Sequence, residues 1–171
     1  KLALKKKVSP FVMSVIKTIG ETVTQGDSSG LQVMVGKDPN GQPVMVDGET
    51  FEIRMMGNLA NAYETGDLSI VLPMLQQLNT AKAAKNFPGL VSEMDKIYEN
   101  LNKAYVYMGD NALGQEERRI EVTELVNEIQ KRITISIESP GLTLKEKKEK
   151  LAEVYELQSK INVLIQDKGP I

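Results

Sequence analysis

Two apolar stripes with heptad-like spacing, over residues 116–139 and 143–168, flank a Ser139-Pro140-Gly141 break, and no other feature restricts the fold as strongly. Ile120, Val122, Leu125, Val126, Ile129, Ile133 and Ile137 form the first stripe; Leu144, Leu151, Val154, Tyr155, Ile161, Leu164 and Ile165 form the second. Recurrence every three to four residues puts each set on one side of a helix, and a short Pro-Gly connection returns the second antiparallel to the first. Thr143-Leu144-Lys145-Glu146 supplies a capping box at the start of the second helix. In residues 133–137 isoleucine alternates with hydroxyl residues as in a strand, so the last turns of the first helix are ambiguous.

Upstream, Leu90, Met94, Ile97, Tyr98, Leu101, Ala104, Tyr105 and Met108 predict a further long helix ending near Gly109. Ser9, Pro10 and Gly20 punctuate an N-terminal amphipathic helix with Val12, Val15, Ile16 and Ile19 on one face. Between these regions the period changes to two. Leu31, Val33 and Val35, then Val44 and Val46, then Phe51 and Ile53 predict three short strands, with turns at residues 38–41 and at Asp47-Gly48. Asn58 to Glu64 reads as a short helix, Asp67 caps another that must start late or kink at Pro73, and residues 79–85 read as weakly helical and solvated. The fold expected is mainly α with a small antiparallel β-meander, an α+β chain whose helical bundle ends in a long αα-hairpin. Its regions are a basic arm and amphipathic helix over 1–30, the β-meander over 31–56, and the bundle over 57–171 with its hairpin at 116–168.

The chain has no histidine and no cysteine among its 171 residues, which removes the commonest general base, the thiolate nucleophile and the usual transition-metal ligands. Without tryptophan, and with 5% aromatic residues, stacking platforms for bases or sugars are also scarce. The expectation is a chain that is no enzyme and needs no cofactor or metal. Ser14-Val15-Ile16-Lys17 matches S-x-x-K, but the S-D-N and K-T-G elements of those acyl-transfer enzymes are missing. Residues 36–41 complete neither a P-loop nor an EF-hand and read as a hairpin turn. Glu116, Glu117, Glu121, Glu124, Glu128, Glu149, Glu153 and Glu156 read as solvated helix faces.

Interaction surfaces are what this composition leaves. The helical stripe of Leu144, Leu151, Val154, Tyr155, Ile161, Leu164 and Ile165 is the first candidate for protein contact, together with Met55 and Met56, adjacent residues that cannot share one core-facing side. Lys1, Lys5, Lys6, Lys7 and Lys17 are candidates for phosphate or lipid headgroup contact. Charge is uneven: residues 1–30 hold five lysines against Glu21 and Asp27, whereas residues 31–70 hold Lys37 and Arg54 against six acids. That contrast favours head-to-tail association of copies. The function expected is a structural or assembly protein, meaning a subunit, adaptor or assembly chaperone of a larger complex such as a virion, working through coiled-coil-like packing faces as an oligomer. The other reading is an accessory factor that binds nucleic acid or an anionic membrane surface through its basic arm; no small-molecule substrate is indicated. The longest apolar run, residues 70–75, is far below the ~20 residues a bilayer requires, and no cleavable signal follows the lysine-rich start. A soluble chain, cytoplasmic or within a particle, is therefore expected.

Overall fold

The computed structural model describes residues 9–25, 28–109, 116–139 and 141–166. Their order is α1 (Pro10–Gln25), β1 (Gln32–Lys37), β2 (Pro43–Asp47), α2 (Gly48–Thr65), α3 (Val71–Asn86), a 3₁₀ helix (Pro88–Glu93), α4 (Met94–Gly109), α5 (Glu116–Glu138) and α6 (Leu144–Gln166). The chain is mainly α with one small antiparallel sheet.

Among the described residues, one apolar core threads all six helices. In α1 it takes Val12, Val15, Ile16, Ile19 and Val23. Sequence places the end of this helix at Gly20, but α1 runs one turn further to Gln25, because burying Val23 against the core outweighs the modest helix penalty of one glycine. Ser9 does serve the helix start, its hydroxyl accepting from the Phe11 amide at 3.3 Å.

The two strands pair antiparallel, with Val33 opposite Val46 and Met34 opposite Met45, and a bulge between Met34 and Gly36. The expected turn is present: Asp38 Oδ1 accepts from the amides of Asn40 and Gln42, both at 2.9 Å, and Gly41 sits at φ 79°. The third expected strand does not form. Asp47 and Gly48 begin a helix, with Asp47 as N-cap accepting from the Thr50 amide at 3.0 Å and the Thr50 hydroxyl at 2.7 Å. Those Thr50 hydrogen bonds hold the Asp47 carboxyl below its ordinary range. Phe51 and Ile53 fit a period of two, yet Phe51, Met55, Leu59 and Ala62 fit a helical period over more than three turns and are all buried. The longer pattern prevails, and Ile53 is left 73% exposed on the helix surface. Gly66 closes α2 in the left-handed conformation, its amide donating to Ala62 O at 2.7 Å.

Pro73 falls at the third position of α3, where its missing N–H has no intrahelical partner to lose. The later half of α3 is not solvated as the sequence predicts: Asn79, Lys82 and Ala83 are buried. Ile133 and Ile137 of α5 are buried one turn apart while Ile135 is exposed, so the alternating stretch is helical. The capping box forms as expected, with the Glu146 amide donating to Thr143 Oγ1 at 3.2 Å and the Thr143 amide to Glu146 Oε1 at 3.4 Å.

Polar pairs tie the centre of the bundle. Asn79 Nδ2 donates to Tyr98 Oη at 2.6 Å, Gln130 Nε2 donates to Tyr105 Oη, and Gln158 Nε2 donates to Ile97 O at 3.1 Å. Burial, above all, pushes both phenols upward. An unfolded tyrosine ionises near pH 10 whereas these stay protonated in the fold, so their contribution is complete below about pH 10 and is lost as pH rises beyond it. The urea midpoint should fall as pH rises above about 10, and less steeply once Tyr98→Phe and Tyr105→Phe are combined. Equal slopes in parent and variant would refute that assignment.

Candidate interaction surface

The C-terminal hairpin forms, and most of its second stripe is used inside the chain. Val154 and Ile161 are buried, at 0% and 2% exposure, while Leu151, Tyr155, Leu164 and Ile165 are half-buried against the core. Leu144 alone of that stripe stands clear, at 59%. The hairpin is locked laterally by Arg132, which pairs with Glu153 on α6 and Glu128 on α5. Tyr155 Oη donates to Glu93 Oε2 at 2.6 Å, and desolvation followed by that carboxylate raises its phenol. Met55 and Met56 divide as their adjacency requires: Met55 is fully buried and Met56 is 36% exposed.

Lys17 is exposed on α1, and Lys1, Lys5, Lys6 and Lys7 lie outside the described residues. Ser14 points away from solvent chemistry toward α5, its hydroxyl accepting from Asn127 Nδ2 at 2.9 Å. The glutamates of α5 and α6 are exposed or half-buried on the outer faces. Among the described residues no three acidic side chains converge as a metal-ion cage, and no helix is long and apolar enough to cross a membrane.

The surfaces that remain uncovered lie elsewhere. Leu31, just before β1, and Val33 within it are buried, so Gln32 and Met34 face outward; on β2, Met45 stands directly opposite Met34. Met34 and Met45 are 50% and 46% exposed. This outer sheet face and α3 border a groove of about 540 Å³, with Met34, Met45, Pro73, Ala81 and Ala84 supplying apolar walls and Gln32, Gln76, Gln77 and Thr80 supplying amide and hydroxyl groups. Gln76 Nε2 is held by Asp95 Oδ1 at 2.6 Å, which fixes one wall. A second groove, of about 380 Å³, runs between α1 and α2. A third, of about 370 Å³, lies where Leu144 and Lys147 meet the Phe87-Pro88-Gly89 corner; Lys147 Nζ sits 6.0 Å from the Phe87 ring centroid and donates to Asn86 O at 3.1 Å.

Spacing marks most of the eight methionines as core residues, and Met34 and Met45 are exceptions that the structure exposes. The signal was present for Met34: its parity is opposite to Leu31, Val33 and Val35, which makes it outward-facing in any strand that buries those three. No such signal existed for Ile53 or Tyr63, because their exposure depends on α2 being a helix and on which side of it the core takes. No protein-family model, curated protein or solved structure matches this chain.

Proposed function

We propose that this chain is a non-enzymatic assembly protein, a subunit or adaptor that joins like or unlike protein chains through the outer face of its β-hairpin and the adjoining α3 groove. The observation that carries this reading is the exposed cross-strand pair Met34 and Met45, on a sheet whose Val33 and Val46 side packs toward the core. Two flexible thioethers set side by side in solvent form an adaptable apolar patch. The neighbouring glutamine and threonine groups match the hydrogen-bonding needs of a polypeptide backbone, so an extended segment of another chain suits this lining better than a small charged ligand. The C-terminal hairpin has a lesser part in this reading than its sequence suggests, since its apolar residues are largely engaged within the chain.

Light scattering over a concentration series tests it. The parent chain should rise above the mass of one chain as concentration increases, and the Met34→Glu/Met45→Glu variant should stay at that mass. Both sites are about half exposed and face each other, so the two like charges should cost the variant no more than about 1 kcal/mol in a thermal melt. A parent chain that stays at single-chain mass throughout ends the self-association form of this reading.

A further inference from the structure

The groove between α1 and α2 is lined by Ile16 and Gly20 on one side and by Met56, Ala60, Tyr63 and Glu64 on the other. Along α2 the exposed Ile53, Met56 and Tyr63, with Ala60, repeat at 3-4-3 spacing, the pattern of a helix seam that packs on another segment. Glu49 and Glu52 border one end of that seam and Glu64 the other, whereas Arg54 projects roughly 150° around the helix from it. The groove is therefore apolar with an acidic rim. A second copy of α2 docked antiparallel, with Met56 facing Ala60, would set Glu52 against Glu64 at both ends, and like charges there disfavour self-pairing. What fits is an apolar knob flanked by cations.

The chain carries such a knob on α6. Leu144, at the start of that helix, is exposed, and Lys145 and Lys148 stand beside it, both exposed and neither paired with a carboxylate among the described residues. The nearby acids turn away: Glu146 Oε1 accepts from the Thr143 hydroxyl at 3.1 Å, and Glu149 projects roughly 140° around α6 from Leu144. Within one chain the knob and the groove do not meet, since α6 packs against α4 and α5, and against neither α1 nor α2, among the described residues. A second copy supplies the complementary charge.

We propose that Leu144 of one copy seats in the α1–α2 groove of the next, against Met56, Ala60 and Tyr63, with Lys148 beside Glu64. The register follows from matching periods: with Leu144 opposite Ala60, Lys148 and Glu64 each lie one turn further along their helices. Knob and groove are different surfaces of each copy, so the contact is heterologous and repeats head to tail. One leucine and a few charges cover far less than the ~1,000 Å² of a stable interface, so this contact leaves copies dissociated in dilute solution and acts where they are concentrated.

The chain has no cysteine, and a Cβ at Gly57, beside the groove, or at Gly141, just before the knob, would meet no atom within 4 Å. One copy carrying Gly141→Cys and one carrying Gly57→Cys, told apart by a tag and both in the Met34→Glu/Met45→Glu background, are mixed at high concentration with a short bis-maleimide. That background removes association through the β-hairpin face, so a negative result here leaves the proposed function standing. Head-to-tail seating predicts the mixed 141–57 product at roughly tenfold or more over the 141–141 and 57–57 products, because docking raises the effective concentration of one thiol at the other. Lys148→Glu on the first copy should remove that excess, adding Glu64→Lys on the second should restore it, and added salt should weaken it. Products in statistical proportion overturn the proposal, as does an excess of the 57–57 product or a charge swap that restores nothing.

Discussion

Replacing Glu138 by alanine is expected to cost about 3–5 kcal/mol of stability, more than removing the lysine that it serves. Lys82 of α3 is 3% exposed and its ammonium donates to Glu138, the last residue of α5, which is 19% exposed. Without the carboxylate, a positive charge stays inside the bundle with no partner of opposite sign. Taking out the lysine is different, because Glu138 at the end of its helix can turn to water. Lys82→Met keeps the chain volume and discards the buried charge, so its expected cost is small, within about 1 kcal/mol of the parent or on the stabilising side. Urea midpoints for Glu138→Ala, Lys82→Met and the double variant separate these cases. The double variant should lie near Lys82→Met, and a Glu138→Ala protein as stable as the parent would show that Lys82 does not depend on this pair.

The second large effect is steric and lies where the sheet hands over to α2. A Cβ on Gly48 would stand 2.3 Å from Ser28 O and 2.9 Å from Leu31 Cβ, while the Gly48 amide donates to Leu31 O at 2.9 Å. The loop before β1 is therefore pressed on the first residue of α2, with Ser28 also donating its hydroxyl to Glu52 Oε2 at 2.6 Å. Gly48→Ala must push this loop aside, and the expected loss is about 2–3 kcal/mol in thermal or urea melts. Gly57 provides the opposite sign on the same helix. It is exposed with nothing near its Cβ position, so Gly57→Ala should stabilise by about 0.5–1 kcal/mol through helix propensity alone. If both alanines shift stability in the same direction, close packing at Gly48 is not what governs that junction.

Val154, Ile161, Val126, Ile129 and Ile133 declare a helical hairpin through spacing alone, and Thr143 with Glu146 marks where its second arm begins. The turn at Asp38 to Gly41 is equally plain, because its hydrogen bonds close within four residues. Lys82 is the contrary case. It sits in a stretch of Asn, Thr, Lys and Ala with almost no amphipathic pattern, and only the carboxylate of Glu138, 56 residues away, makes its burial tolerable. The same holds for Asn79, whose partner Tyr98 lies on another helix.

The candidate site divides in the same way. Parity along β1 marks Met34 as outward, but the groove beside it exists only because α3 passes next to the sheet. Residues 51–55 satisfy the periods of both strand and helix. The choice fell to a cap at Asp47 and to buried partners as far along as Ala62, so Ile53 and Tyr63 became surface residues by consequence. Local periodicity, capping groups and turn chemistry were decided by neighbours along the chain, within reach of a few residues' hydrogen bonds and sterics. Which apolar faces were sealed and which were left to solvent was decided by the docking of whole helices, since burial is a property of the assembled body and no single segment carries it.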